Sequence, residues 1–378
     1  MTSYGIPLLV LTITGSASLT GLAFALEWIP RIGAFTVAGT LVDRYGPART
    51  FRAACLLRTL VAVTAALVLD ALDSRAPAAT VAVMLLAAAT GTLSEFSYIS
   101  AETTGGEASR KAGARAHRVQ SVLLGIDQTA TLAGPAVAGL LLEHGGPPVM
   151  LATLAGCSLL AAALAPRERV TPPNSVSISA WHGLTTGWAT LRSLPALAWL
   201  VAGLIVSNSA VAVLQAAVPI VVVGELGRSS ADAGFIWSAA ALATLLVVTA
   251  SRSAIDRWGL WRVGAVSAAV TAGATLAVAQ ADTYREYLLL IAVLMVGEGG
   301  LTVVLRTLRS HLIPPKVFGS TLGVTILLLL APYPAAGLLV AAVPLAQLGH
   351  TITAAALLQA LALAITFARL RTLPALPA

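Results

Sequence analysis

Long apolar blocks alternate along this chain with short polar clusters, at intervals close to one membrane crossing. A helix needs roughly 20 residues to cross the ~30 Å hydrocarbon core of a bilayer. Blocks of that length predict helices at about Ser16–Val42 (span 2), Thr50–Leu69 (span 3), Pro77–Ala101 (span 4), Val119–Leu142 (span 5) and Pro148–Ala165 (span 6). A polar stretch, Pro166–Ser193, interrupts the pattern. It resumes with Leu194–Val223 (span 7), Ala231–Ala250 (span 8), Val263–Gln280 (span 9), Glu286–Leu308 (span 10), Phe318–Val343 (span 11) and Gly349–Leu370 (span 12). The prediction is an all-α, polytopic membrane protein with helical halves at 1–165 and 194–378, joined by a linker at 166–193.

Two segments fit this pattern less simply. The apolar start, Met1–Thr14, reaches only roughly 18 Å as a helix and has no charged signal-peptide opening. It is expected to be part of span 1, with the rest encoded upstream or clipped; a protein of eleven and a half helices is the other reading. In the linker, Ile178, Trp181, Leu184, Trp188 and Leu191 recur every three or four residues. That spacing gives either an amphipathic helix lying on the membrane surface or a loop anchored by its tryptophans.

One phrase occurs in both halves. Gly39-Thr40-Leu41-Val42-Asp43-Arg44-Tyr45-Gly46 ends span 2, and Ala254-Ile255-Asp256-Arg257-Trp258-Gly259 ends span 8. A polar turn repeated at equivalent places is the mark of two tandem membrane halves.

Composition supports a lipid environment. Hydrophobic residues make up 57% of the 378 positions and charged residues 10%, and the mean hydropathy is +0.88. The net charge of +7 first suggests nucleic acid. Its distribution points elsewhere: eighteen basic residues fall in loops 2–3, 4–5, 6–7, 8–9 and 10–11, at the adjoining helix ends and at the C-terminus, against three in the opposite loops. By the positive-inside rule the first group is cytoplasmic, and so is the C-terminus. The bias to arginine and alanine suggests a bacterial inner-membrane protein. Cys55 and Cys157 lie in apolar spans, the histidines have no ligand spacing, and no nucleophile–base or phosphate-cradling motif appears. No metal, cofactor, enzymatic activity or nucleic-acid partner is expected, and a monomer is.

Two halves with Gly-x-x-x-Asp-Arg-x-Gly after span 2 and its Asp-Arg-x-Gly core after span 8 resemble the major facilitator superfamily. Physically, Gly39 and Gly46 permit close helix approach and a tight turn. Asp43 can face the positive N-terminus of a neighbouring helix. The resemblance implies that this neighbour is span 11 near Gly319–Gly323, that Asp43 and Arg44 latch the outward-open state, and that Asp256, Arg257 and Gly259 form the pseudo-symmetric counterpart. Solvated charges that set topology are the alternative. In span 5, Gly134-Pro135-Ala136-Val137-Ala138-Gly139 resembles the Gly-Pro motif of the superfamily's antiporters, with alanine at two glycine positions. Span 4 lacks the arginine that its drug–proton antiporters carry. The region Thr14–Arg31 is similar in tone to bacterial siderophore exporters.

Charges inside a bilayer are costly and are functional candidates by default. Glu27 and Arg31 stand at i, i+4 in span 2 and can form an intrahelical pair, either structural or proton-linked. Arg58, Glu95 and Asp127 lie at similar depth in spans 3, 4 and 5, which predicts a cluster with one acid left to carry a proton. Glu298 lies among glycines in span 10, suited to substrate contact or proton carriage, or to pairing with Arg306. Asn208 and Gln215 on span 7 add hydrogen-bonding groups to a central cavity. The expected function is proton-driven export of a small amphipathic molecule, a siderophore or other metabolite or a drug. Proton-coupled uptake and a non-transporting sensor or membrane partner are the alternatives.

Overall fold

The computed structural model describes residues 2–71, 77–112, 116–165, 180–314 and 317–373. Regular structure among them is helical throughout, and nine of the described segments are long and apolar enough to cross a membrane. The chain divides into two compact units, Met1–Ser177 with Ser229–Gly234, and Ile178–Arg228 with Phe235–Ala378.

The first unit holds α1 (Thr2–Thr14), α2 (Ala17–Tyr45), α3 (Pro47–Ala71), α4 (Pro77–Ala112) and α5 (Ala116–Leu164). Between α1 and α2, Gly15 takes a φ of 61°, and the Ser16 hydroxyl accepts a bond from Leu19 N at 3.3 Å to cap α2. Helix α1 packs on α2, α4 and α5 through Ile6, Leu8, Leu9 and Val10, all buried. Spans 5 and 6 are the two arms of α5, which reverses at Gly146 (φ 69°, ψ −174°). Pro147 forces the residue before it into extended backbone, and only glycine holds that with a positive φ at little cost.

The second unit begins with α6 (Ala180–Ser193). It continues through α7 (Pro195–Pro219), α8 (Ser230–Trp258, whose first turn belongs to the first unit), α9 (Leu260–Val278), α10 (Tyr284–Leu312), α11 (Phe318–Leu330), α12 (Pro332–Ala342) and α13 (Leu348–Thr372). After Pro219 removes one N–H, α7 widens into a π-helical turn, with Leu226 N donating five residues back to Val221 O at 2.9 Å. Span 11 is broken: Pro332 and Pro334 interrupt the ladder and divide it into α11 and α12. The linker does contain a helix, and α6 is seated on protein along one side. A Cβ at Gly187 would lie 2.7 Å from the Ser320 carbonyl carbon and 2.8 Å from Val324 Cγ2, and Leu191 joins the buried core with Leu197, Leu308 and Phe367. Trp188 stays exposed, while the side chains of Trp181 and His182 lie outside the described residues.

Many large apolar residues face outward, among them Leu60, Leu67, Leu160, Leu246 and Leu361. In a bilayer these meet lipid tails, so packing between helices relies on close van der Waals fit and small residues rather than on expelling water. Gly91 is one such position. Helices α2 and α4 approach so closely that a Cβ there would overlap the Glu27 carbonyl.

Candidate functional site

Each unit carries one buried carboxylate cluster, and the two are built differently. In the second unit Glu298, on α10, accepts a hydrogen bond from the Ser207 hydroxyl on α7. Ser207 Oγ in turn accepts from Gln359 Nε2 on α13 at 2.8 Å. All three residues are buried, and Gln359 Oε1 has no partner among the described residues. No lysine or arginine among those residues bonds to Glu298, so Arg306 does not pair with it. The glycines beside it fix its helix. A Cβ at Gly297 would stand 2.7 Å from Ser267 O on α9, one at Gly300 3.0 Å from Ser267 Cβ, and one at Gly299 2.5 Å from Val247 Cγ1 on α8. Helix α10 is thus pressed against two neighbours while its acid reaches a third and, through Ser207, a fourth.

On the same unit, a groove of about 910 Å³ runs between α7, α12 and α13. Gln347, His350 and Thr351 give it polar walls at the start of α13, and Val206, Leu339 and Leu358 are among its apolar ones. From residue 347 to 358 the groove follows α13 for roughly 16 Å at 1.5 Å per residue. Asn208, one residue past Ser207, points elsewhere: its Nδ2 donates to Leu329 O at 2.9 Å, beside the α11–α12 break. Gln215 makes no side-chain hydrogen bond among the described residues.

In the first unit Arg31 Nε donates to Glu95 Oε2 at 2.7 Å, joining α2 to α4. Its guanidinium carbon lies 4.5 Å from the centre of the Trp28 ring. The expected Glu27–Arg31 pair is therefore not the one formed, because stacking on Trp28 carries the guanidinium across to α4. Glu27 is itself buried. The expected Arg58–Glu95–Asp127 cluster does not form either. Arg58 donates to Ser158 Oγ at 3.0 Å, Ser94 Oγ at 3.5 Å and Cys55 Sγ at 3.6 Å, while Asp127 is exposed. Equal depth ignores rotation: Ser94 and Glu95 differ by about 100° around α4, so one faces Arg58 and the other Arg31.

The repeated turns match closely in backbone. Gly46 has φ 85° and ψ 149°, Gly259 has φ 79° and ψ 158°, and each N–H donates back four residues, to Val42 O and Ile255 O, both at 2.8 Å. Both require glycine. Arg44, Asp256 and Arg257 are exposed, and the Asp43 side chain lies outside the described residues. Gly39 makes no close approach, since nothing described lies within 4 Å of a Cβ built there.

The glycines of α5 act on the first turn of α8. A Cβ at Gly139 would lie 2.9 Å from Ala231 Cα, and one at Gly234 2.9 Å from the Pro135 carbonyl carbon. Glu143 Oε2 completes this contact by accepting from Ala231 N at 3.2 Å, a carboxylate at a helix N-terminus. Gly134 and Pro135 are buried beside it.

Three residues went unnoticed in the sequence as candidates. Ser207 and Gln359 are ordinary small and polar residues in apolar helices, far from Glu298 in the chain. Arg309, one of the basic residues at the cytoplasmic loops and helix ends, is buried, and its Nε and Nη2 have no partner among the described residues.

No curated protein matches the chain. Solved structures do, across nearly its whole length. A variant of nucleoside transporter NupG has a TM-score of 0.76 at 12% identity, covering 97% of this chain and 94% of that one. A bacterial homologue of iron transporter ferroportin, in an inward-facing state, has 0.71 at 16%, covering 97% and 96%. An auto-inhibited POT family peptide transporter has 0.68 at 13%, covering 99% and 96%. Three unlike cargoes on one fold leave the substrate to be argued from the site. The family profile described as Major Facilitator Superfamily matches residues 1–331. With paired glycine turns, tandem helical halves and that match, the chain belongs to the Major Facilitator Superfamily of membrane transporters.

Proposed function

We propose that this transporter is a proton-driven exporter of a small amphipathic molecule and that Glu298 carries the proton. The observation behind this is the setting of Glu298: a buried acid at a helix–helix junction, held by a hydroxyl and an amide rather than by a cation. A carboxylate so placed meets no counter-charge among the described residues, so taking up a proton relieves its burial and giving one up restores it. Glu95 is the opposite case, neutralised by Arg31. The groove beside α7, apolar with polar side chains at the start of α13, suits a ligand with one polar end. Export is supported by the likeness of Gly134, Pro135 and Gly139 to the antiporter motif, and the basic loops argue for a cytoplasmic C-terminus in a bacterial inner membrane. A secreted metabolite such as a siderophore is the first substrate to test.

The test compares culture supernatants of a deletion strain complemented with the wild type, with Glu298→Gln or with nothing, by mass spectrometry and an iron-chelation assay under iron limitation. Export predicts one compound present only with the wild-type gene and retained in the cells otherwise. An unchanged supernatant removes the siderophore assignment. A compound depleted from the medium only by wild-type cells reverses the direction to uptake.

A further inference from the structure

Arg309 stands in the last turn of α10, one of the basic residues that the sequence places at the cytoplasmic loops and helix ends. Only 8% of its surface is exposed. Its Nε and Nη2 are buried and make no hydrogen bond among the described residues. Those two nitrogens share one edge of the guanidinium plane, and that edge meets a carboxylate or phosphate with two parallel bonds. Leu305 and Leu308 on the same helix and Ile313 just beyond it are buried and apolar. The charge acting on Arg309 is Arg306, one turn earlier and of the same sign. A desolvated cation whose fork meets no acceptor among the described residues, with buried apolar neighbours along its helix and a second cation one turn away, is an arrangement that an anion completes.

We propose that the C-terminal end of α10 is an oxyanion site. Arg309 takes two oxygens of one carboxylate or phosphate side-on through Nε and Nη2, and Arg306 adds positive charge at the rim. The ligand is the oxyanion of a soluble molecule or the phosphodiester of an anionic lipid, since both offer the same pair of oxygens. Eleven residues of α10, roughly 16 Å, separate this site from Glu298, so it does not rest on the proton-carrying role of that acid.

The test measures the thermal unfolding midpoint of the full-length protein in neutral detergent. Inorganic phosphate and succinate are added against chloride of equal ionic strength; separately, the protein is placed in phosphatidylglycerol or phosphatidylcholine nanodiscs. The wild type is expected to gain several degrees from at least one oxyanion source. A response to phosphate or succinate identifies a soluble ligand, and a response to phosphatidylglycerol alone identifies lipid. Arg309→Met is expected to unfold at a higher temperature than the wild type without any addition, because it removes a bare buried charge, and to show no oxyanion response. Arg309→Lys keeps the charge but not the fork and loses most of the response. Arg306→Gln weakens the apparent affinity several-fold. The proposal is overturned if the wild type responds to no oxyanion source, or if it and Arg309→Lys respond alike; the lysine variant decides the matter even where Arg309→Met does not fold.

Discussion

Glu95 and Glu298 are both buried acids on helices that meet their neighbours through glycine, yet one is closed chemically and the other open. Glu95 sits against Arg31 at 2.7 Å, so its charge is answered within the protein and protonating it would strand the arginine. Among the described residues Glu298 has Ser207, with Gln359 behind it, and protonating it strands no charge there. The contrast shows that burial of a carboxylate does not by itself indicate a proton carrier. What matters is whether its partners need its charge.

The largest effect should come from Glu298→Gln. It is expected to lower proton-driven transport roughly a hundredfold, about 2.7 kcal/mol at 1.36 kcal/mol per tenfold, with little change in unfolding temperature. Uptake or efflux assays under an imposed pH gradient, beside a thermal melt, read both quantities. Glu95→Gln should do the reverse, costing up to about 3 kcal/mol of stability by removing the partner of Arg31. That is the low end for breaking a buried pair, because Arg31 keeps 20% of its side chain exposed. Adding Arg31→Met should recover most of that loss, and a double-mutant cycle with no coupling between the two would refute the pairing. Ser207→Ala leaves Gln359 without its acceptor, at a cost of about 1–2 kcal/mol, and should displace the pH profile of transport; an unmoved profile would detach Ser207 from proton carriage. Asp127→Asn should be the quietest, within about 0.5 kcal/mol in stability and with transport unchanged, as for an exposed side chain outside both clusters.

The spans and the paired turns were legible in the sequence because their causes are local. Length and hydropathy define a crossing, and glycine after Asp-Arg-aromatic permits the positive φ seen at Gly46 and Gly259. The break of span 11 was available too, in Pro332 and Pro334, but a hydropathy pattern passes over prolines inside an apolar block. The clusters were not legible. Ser207 and Gln359 are separated by 152 positions, and nothing local marks them as partners. Arg58, Glu95 and Asp127 were grouped by depth alone, whereas contact also depends on which way each helix is turned. Arg309 was counted with the loop charges because sequence position places it at a helix end, and only packing shows that the end is buried.

The bonds from Gln359 through Ser207 to Glu298 all run one way, each donor pointing toward the acid. That order fits an ionised Glu298, and equally one that carries a proton on Oε2 while Oε1 goes on accepting from Ser207. A proton on Oε1 itself makes the acid the donor there, so that the Ser207 hydroxyl turns about and Gln359 offers its oxygen in place of its nitrogen. Its Oε1, now without a partner, is the atom that would receive that bond. Arrival of a proton at Oε1 of Glu298 is then written into the orientation of an amide on α13, two helices away, and infrared spectroscopy with labelled glutamine could follow it as a carbonyl band that moves with pH.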